Sequence, residues 1–146
     1  MAPSAIFSIC NALALTGWII LIAFPMWHSS DKVIIGILIT LFAVVYTWML
    51  VSQFNFSDAK KFNSLAGVVS LFSDPGLVLA GWVHYLAFDL LAGVFIKKNS
   101  FMHGISHWLV IPCMILTFMF GPIGLLLYLL IRTIKSRQYF ADNFAS

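Results

Sequence analysis

The sequence predicts an all-α integral membrane protein: a four-transmembrane-helix bundle with a short interfacial amphipathic helix between spans 2 and 3. Of the 146 residues, 62% are hydrophobic and only 9% are charged, whereas charged residues make up about 25% of soluble domains. The apolar residues gather in four stretches, about 6–27, 33–53, 76–96 and 105–131. Each reaches the roughly 20 residues that a bilayer crossing requires. None alternates as barrel strands do, and only helices or closed barrels satisfy backbone polar groups in lipid. The length leaves room for one domain, so residues 1–146 are expected to form a single membrane domain.

The first stretch, Ile6 to Trp27, is longer than a signal-peptide core, and no Lys or Arg precedes it. It is expected to be a retained span. His28 to Lys32, HSSDK, is a tight turn into the second span, Val33 to Gln53. Between Phe54 and Ser73 the sequence is mixed, with Phe62, Leu65, Ala66, Val69 and Phe72 at helical spacing opposite Asp58, Lys60 and Asn63. That pattern predicts the interfacial amphipathic helix. Asp74 followed by Pro75 supplies an N-cap and a first-turn proline for the third span, Gly76 to Ile96. Lys97 to Ser100 is expected to close it. The fourth stretch contains Pro112 and a Gly121-Pro122 pair, at which kinks are expected.

Four antiparallel crossings place Lys60, Lys61, Arg132, Lys135 and Arg137 on one side and Lys32, Lys97 and Lys98 on the other. That bias predicts both termini in the cytoplasm. The net charge of +3 is small and sits at span ends. It suits anionic headgroups, not nucleic acid. Cys10 and Cys113 each stand alone in apolar sequence, which implies helix packing, neither a disulfide framework nor a metal knuckle. Small residues such as Ala12, Gly17, Gly36, Gly81, Ala92 and Gly93 permit close helix approach and suit a homodimer.

Chemistry concentrates in the third span, which carries His84 and Asp89. An acid at that depth costs about 2.5–3.5 kcal/mol on insertion scales. Trp82, Tyr85, Ala92 and Gly93 share the face of Asp89, since residues three, four and seven apart stack on a helix. Aromatic walls and small residues around one acid make a slot for a flat, apolar ligand. Phe88 adds a further ring. His84 lies about 140° around the helix from Asp89, so the two are expected to flank a broad groove or to face different neighbours. Asn11 in the first span is a candidate contact for His84. His103 and His107 are four apart, but no HExxH motif or third ligand accompanies them, so no metal is expected. His107 could join His84 and Asp89 if the third and fourth helices pack side by side. The sequence has no P-loop, dinucleotide fingerprint, nucleophile elbow or Glu.

The strings NALALTGW (Asn11 to Trp18), DPGLVLAGWVHYLAFDLLAG (Asp74 to Gly93) and HWLVIPCMILTFMFGPIGLLLYLLIR (His107 to Arg132) resemble the plant abscisic-acid-deficient-four family and its bacterial relatives. The resemblance covers most of the chain and is weakest in the second span. It implies a small four-helix membrane protein connected with neoxanthin synthesis. Plant members are needed to make neoxanthin from violaxanthin in plastid membranes, an isomerisation without net redox change. Such a step protonates an epoxide oxygen while a proton leaves the adjacent polyene carbon. It calls for an acid and a base in a dry slot and for no nucleotide or flavin cofactor. His84 and Asp89 are the candidate catalytic pair, with Asn11, Trp82, Tyr85, Phe88 and His107 as candidate substrate contacts. The short N-terminus suits a bacterial inner-membrane member. The alternative is a non-catalytic module that binds a carotenoid, quinone or haem, or scaffolds other enzymes.

Overall fold

The computed structural model describes residues 2–137, 139–140 and 142–143; these are helical, with no strand among them. Helix α1 spans Pro3–Ala23 and α2 spans Ser30–Gln53, with a π-helical turn over Ile34–Ile39. A 3₁₀ segment, Phe56–Asn63, and the short helix α3, Leu65–Leu71, lead into α4, Pro75–Met102. Helix α5 covers His107–Phe120 and α6 covers Pro122–Ser136. Three helices, α1, α2 and α4, are long and apolar enough to cross a membrane.

Helix α4 is the spine. At 28 residues it is about 42 Å long, and α1, α2 and α5 all pack against it. The Asp74 carboxylate caps it as the sequence implies, with Oδ1 accepting from the backbone N–H groups of Gly76 at 2.8 Å and Leu77 at 3.0 Å. The far end differs from expectation. Lys97, Asn99 and Ser100 do not close the helix; they are buried within it. Lys97 Nζ donates to Ser30 Oγ at 2.6 Å and to the Trp27 carbonyl at 3.1 Å, so these polar residues are satisfied by other segments and the helix continues.

The interfacial segment is also divided. Asn55 and Asp58 form a capping box for the 3₁₀ turns, and Ser64 caps α3 through the Gly67 N–H at 3.1 Å. Lys61, 2.8 Å from Asp58, holds that carboxyl below the usual carboxylate range. Phe62, Leu65, Val69 and Phe72 remain exposed, as a helix lying on a lipid surface requires.

The fourth stretch is not one helix of crossing length. At 14 residues, α5 is about 21 Å long, short of a bilayer core about 30 Å thick. Pro112 is accommodated within it, but at Gly121 (φ 51, ψ −100) the chain reverses and α6 runs back along α5. Gly124 makes the return close: a Cβ there would collide with the backbone of Thr117 and Cys113. Both open ends of the hairpin meet the Met102 end of the bundle. His107 Nε2 lies 2.9 Å from the Ile22 carbonyl, and Tyr128 Oη donates to Asn99 Oδ1 at 2.6 Å. Arg132 Nη1 donates to the same oxygen at 3.3 Å, and the backbone carbonyls of Tyr139, Asp142 and Asn143 accept from Arg132, lie beside His103 and accept from Asn99 in turn.

The expectation of a single fourth span is thereby corrected. The bundle has three helices long and apolar enough to cross and a hairpin that turns back midway, because Gly121-Pro122 reverses the chain and does not merely kink it. The first and last described residues lie at opposite ends: Pro3 beside Pro75 and Trp82, and Asn143 beside Asn99. Asn99 is 1% exposed, so Asn99→Ala is expected to strip partners from the Tyr128 hydroxyl and Arg132. The loss should be about 1–3 kcal/mol, measured as earlier thermal unfolding in detergent. An unchanged transition would show that the hairpin is held by other contacts.

Candidate functional site

The hairpin tip ends against Asp89, midway along α4. A Cβ at Gly121 would stand 2.9 Å from Asp89 Oδ1, so the absent side chain is what lets the reversal reach the carboxylate. Non-helical backbone at membrane depth is tolerated where it is buried in protein or lines a cavity, and here it does so beside the only acid in the three long spans' interior. The first turn of α6 begins at this point, where a helix carries its positive end. Asp89 is 8% exposed, yet its Oδ2 has no hydrogen-bond partner among the described residues.

Tyr85, one turn toward the Pro75 end, interacts with the Asp89 carboxyl, and its hydroxyl lies 3.5 Å from the Phe118 carbonyl in the last turn of α5. From Tyr85 a line of rings runs out along the groove between α1 and α4: Tyr85 to Trp82 at 5.4 Å, then Trp82 to Phe7 at 5.8 Å. The line ends in a cavity of about 270 Å³ at the Pro75 end, lined by Pro3, Phe7, Val78 and Trp82 among others. The hairpin covers only the Met102 half of this face, so the Pro75 half is left open. Asn11 Oδ1 accepts from Trp82 Nε1 at 2.8 Å and fixes the indole along the groove.

The predicted residues therefore divide. Asp89, Tyr85, Trp82 and Asn11 lie along one groove, whereas His84 and Phe88 occupy another face of α4, with their rings 4.5 Å apart. Of the two arrangements the helical angle allowed, each residue facing a different neighbour is the one observed. Asn11 meets Trp82, not His84. His107 is spent on the Ile22 carbonyl near the Met102 end, and His103 turns to the Asp142 carbonyl, so the two do not converge. Gly121 and Phe118 belong to the site and were not foreseen. Their signal was the Gly-Pro dipeptide itself, a turn mark inside an apolar stretch.

These features define a class: a helical protein suited to a membrane, with a buried acid at the tip of a re-entrant helical hairpin and an aromatic groove leading to it. A family model described as ABA4-like, ABA DEFICIENT 4-like, matches residues 5–128. The chain belongs to the ABA DEFICIENT 4-like family, and the match runs from the first turn of α1 into the first half of α6, hence over Phe7, Asn11, Trp82, Tyr85, Asp89 and Gly121. No curated protein and no solved structure matches the chain.

Proposed function

We propose that the protein isomerises a carotenoid or related isoprenoid within the membrane, with Asp89 moving the proton. The observation that carries this reading is the unpartnered Asp89 oxygen at the inner end of a groove walled by Phe7, Trp82 and Tyr85. A polyene lying on those rings brings one end group to the carboxyl. On an epoxide end group, the carboxylic acid gives its proton to the oxygen as the carbon–oxygen bond breaks. The carboxylate so formed takes a proton from the adjacent polyene carbon, whose bonding electrons become the new double bond. The acid is regenerated and no redox partner is consumed. Tyr85, beside the carboxyl, orients it and steadies its charge. Enclosure keeps water from capturing the cation.

The separation of His84 from Asp89 favours a second reading, in which the groove holds its pigment without converting it. Pigment chromatography of cells making β-carotene, zeaxanthin or violaxanthin, with and without the protein, separates the two. A new isomer supports the enzyme. Unchanged cell pigments with one carotenoid co-purifying stoichiometrically support the binder.

The groove also has an orientation. With the hairpin turning back, Lys60 and Lys61 stand at the Pro75 end, against Lys32, Lys97, Lys98, Arg132, Lys135 and Arg137 at the Met102 end. In a bacterial inner membrane the richer end faces the cytoplasm, so the groove opens to the outer leaflet. Both natural cysteines are buried. A Ser4→Cys variant is therefore expected to react with impermeant maleimide in intact cells, and Lys135→Cys only after permeabilisation. Labelling of both from one side would restore a fourth crossing.

A further inference from the structure

His84, itself exposed on the bundle surface, borders a cavity of its own. On its side of α4, the helix, α2, the 3₁₀ segment and α3 surround a half-open space of about 200 Å³. The walls are mostly aliphatic and aromatic carbon, with Leu71 and Ala80 buried, Leu50 half-buried and Phe62 and Phe72 at the exposed rim. His84 and Tyr46 are the lining side chains that carry polar atoms. The His84 ring sits 5.4 Å from Tyr46 and 4.5 Å from Phe88, and neither ring nitrogen has a hydrogen-bond partner among the described residues. Nine residues into α4, it lies about 14 Å along the helix from Pro75, below the level where headgroup water satisfies polar atoms. A neutral imidazole offers one donor and one acceptor, and leaving both unmade in hydrocarbon is unfavourable.

Size narrows the occupant. An apolar cavity of about 150 Å³ accommodates benzene, so this one admits a six-membered ring with a few substituents. Gly81 helps to shape it: a Cβ there would already lie 3.3 Å from the Phe72 ring. The rim formed by Phe62 and Phe72 belongs to the interfacial segment, so a hydrocarbon tail leaves the cavity directly into lipid.

We infer that this cavity is a second binding site, taking the ring of a lipid-soluble molecule whose ring hydroxyl or carbonyl oxygen hydrogen-bonds His84. That chemistry belongs equally to quinones and to oxygenated cyclic isoprenoids. The site is independent of the Asp89 reading, because the two side chains lie on different faces of α4.

The test uses the full-length protein in lipid nanodiscs with isotope-labelled histidine, titrated separately with a short-chain ubiquinone and with hydroxylated β-ionone. The His84 signal, identified by its absence in His84→Phe, is expected to shift saturably while those of His28, His103 and His107 stay in place. Equilibrium dialysis should show affinity reduced about tenfold in His84→Phe, which keeps an aromatic ring but removes the hydrogen bond. Gly81→Leu, which keeps the imidazole but fills the cavity, should weaken binding at least as much. Tighter binding of the quinone assigns one source of the ring, and tighter binding of the ionone the other. If neither probe moves the His84 signal, or if both cavity variants bind as the wild type does, the inference is overturned.

Discussion

Asp89→Asn is expected to lower pigment conversion by about a hundredfold or more, the lower range for losing a positioned general acid–base group. The amide matches the carboxyl in size, so contact with Gly121 persists and the hairpin still docks. What disappears is the group that gives up a proton and takes one back. Conversion should be followed by chromatography of pigments, normalised to protein, with thermal unfolding in detergent as the control for folding. Turnover equal to wild type would remove Asp89 from the mechanism. Lost turnover in a protein that also unfolds early would assign it a structural role. His84→Phe serves as a companion, because a side chain on the other face of α4 should leave the Asp89 step intact.

The second large effect is expected at Gly124. Any side chain there meets the backbone of Thr117 and Cys113, which cannot step aside as a flexible side chain does. Overpacking against side chains costs about 1–3 kcal/mol, and a backbone collision inside a helical hairpin should reach at least the upper value. Gly124→Ala is therefore expected to lower the melting temperature on the order of 10 °C, and Gly124→Leu to prevent recovery of monodisperse protein. Gly36 is the contrast, since nothing lies within 4 Å of a Cβ built there. Gly36→Ala should unfold no earlier than the wild type, because alanine is the better helix former. Equal effects at the two positions would mean that α5 and α6 do not pack as closely as described.

Much of the architecture is legible in the sequence because hydropathy and capping are local properties. Three helices of crossing length, the Asp74 cap and the shared face of Trp82, Tyr85 and Asp89 follow from composition, two side-chain–backbone bonds and the helical repeat. The reversal at Gly121 is not legible in the same way. Apolar length is blind to the sign of φ, so two half-length helices add up to one apparent span. The true end of α4 is hidden for a different reason. Lysine and asparagine terminate a span by rule, but Lys97 and Asn99 are satisfied by Ser30, Trp27 and Tyr128, remote in sequence. The angle between His84 and Asp89 was calculable in advance, whereas the cavity that gives His84 its own surroundings depends on how α2 and α3 pack.

The hairpin has a consequence for how the molecule is made. With the Met102 end facing the cytoplasm, as proposed above, nothing described after α4 needs to be translocated, because α5 leaves and α6 returns at that end, and Arg132 and Lys135 stay on the side where they emerge. Until Gly121 arrives, a nascent chain carries all three spans with Asp89 unclosed. On that orientation a chain truncated before the last helical pair is expected to insert its three long helices and to leave Asp89 uncovered by Gly121.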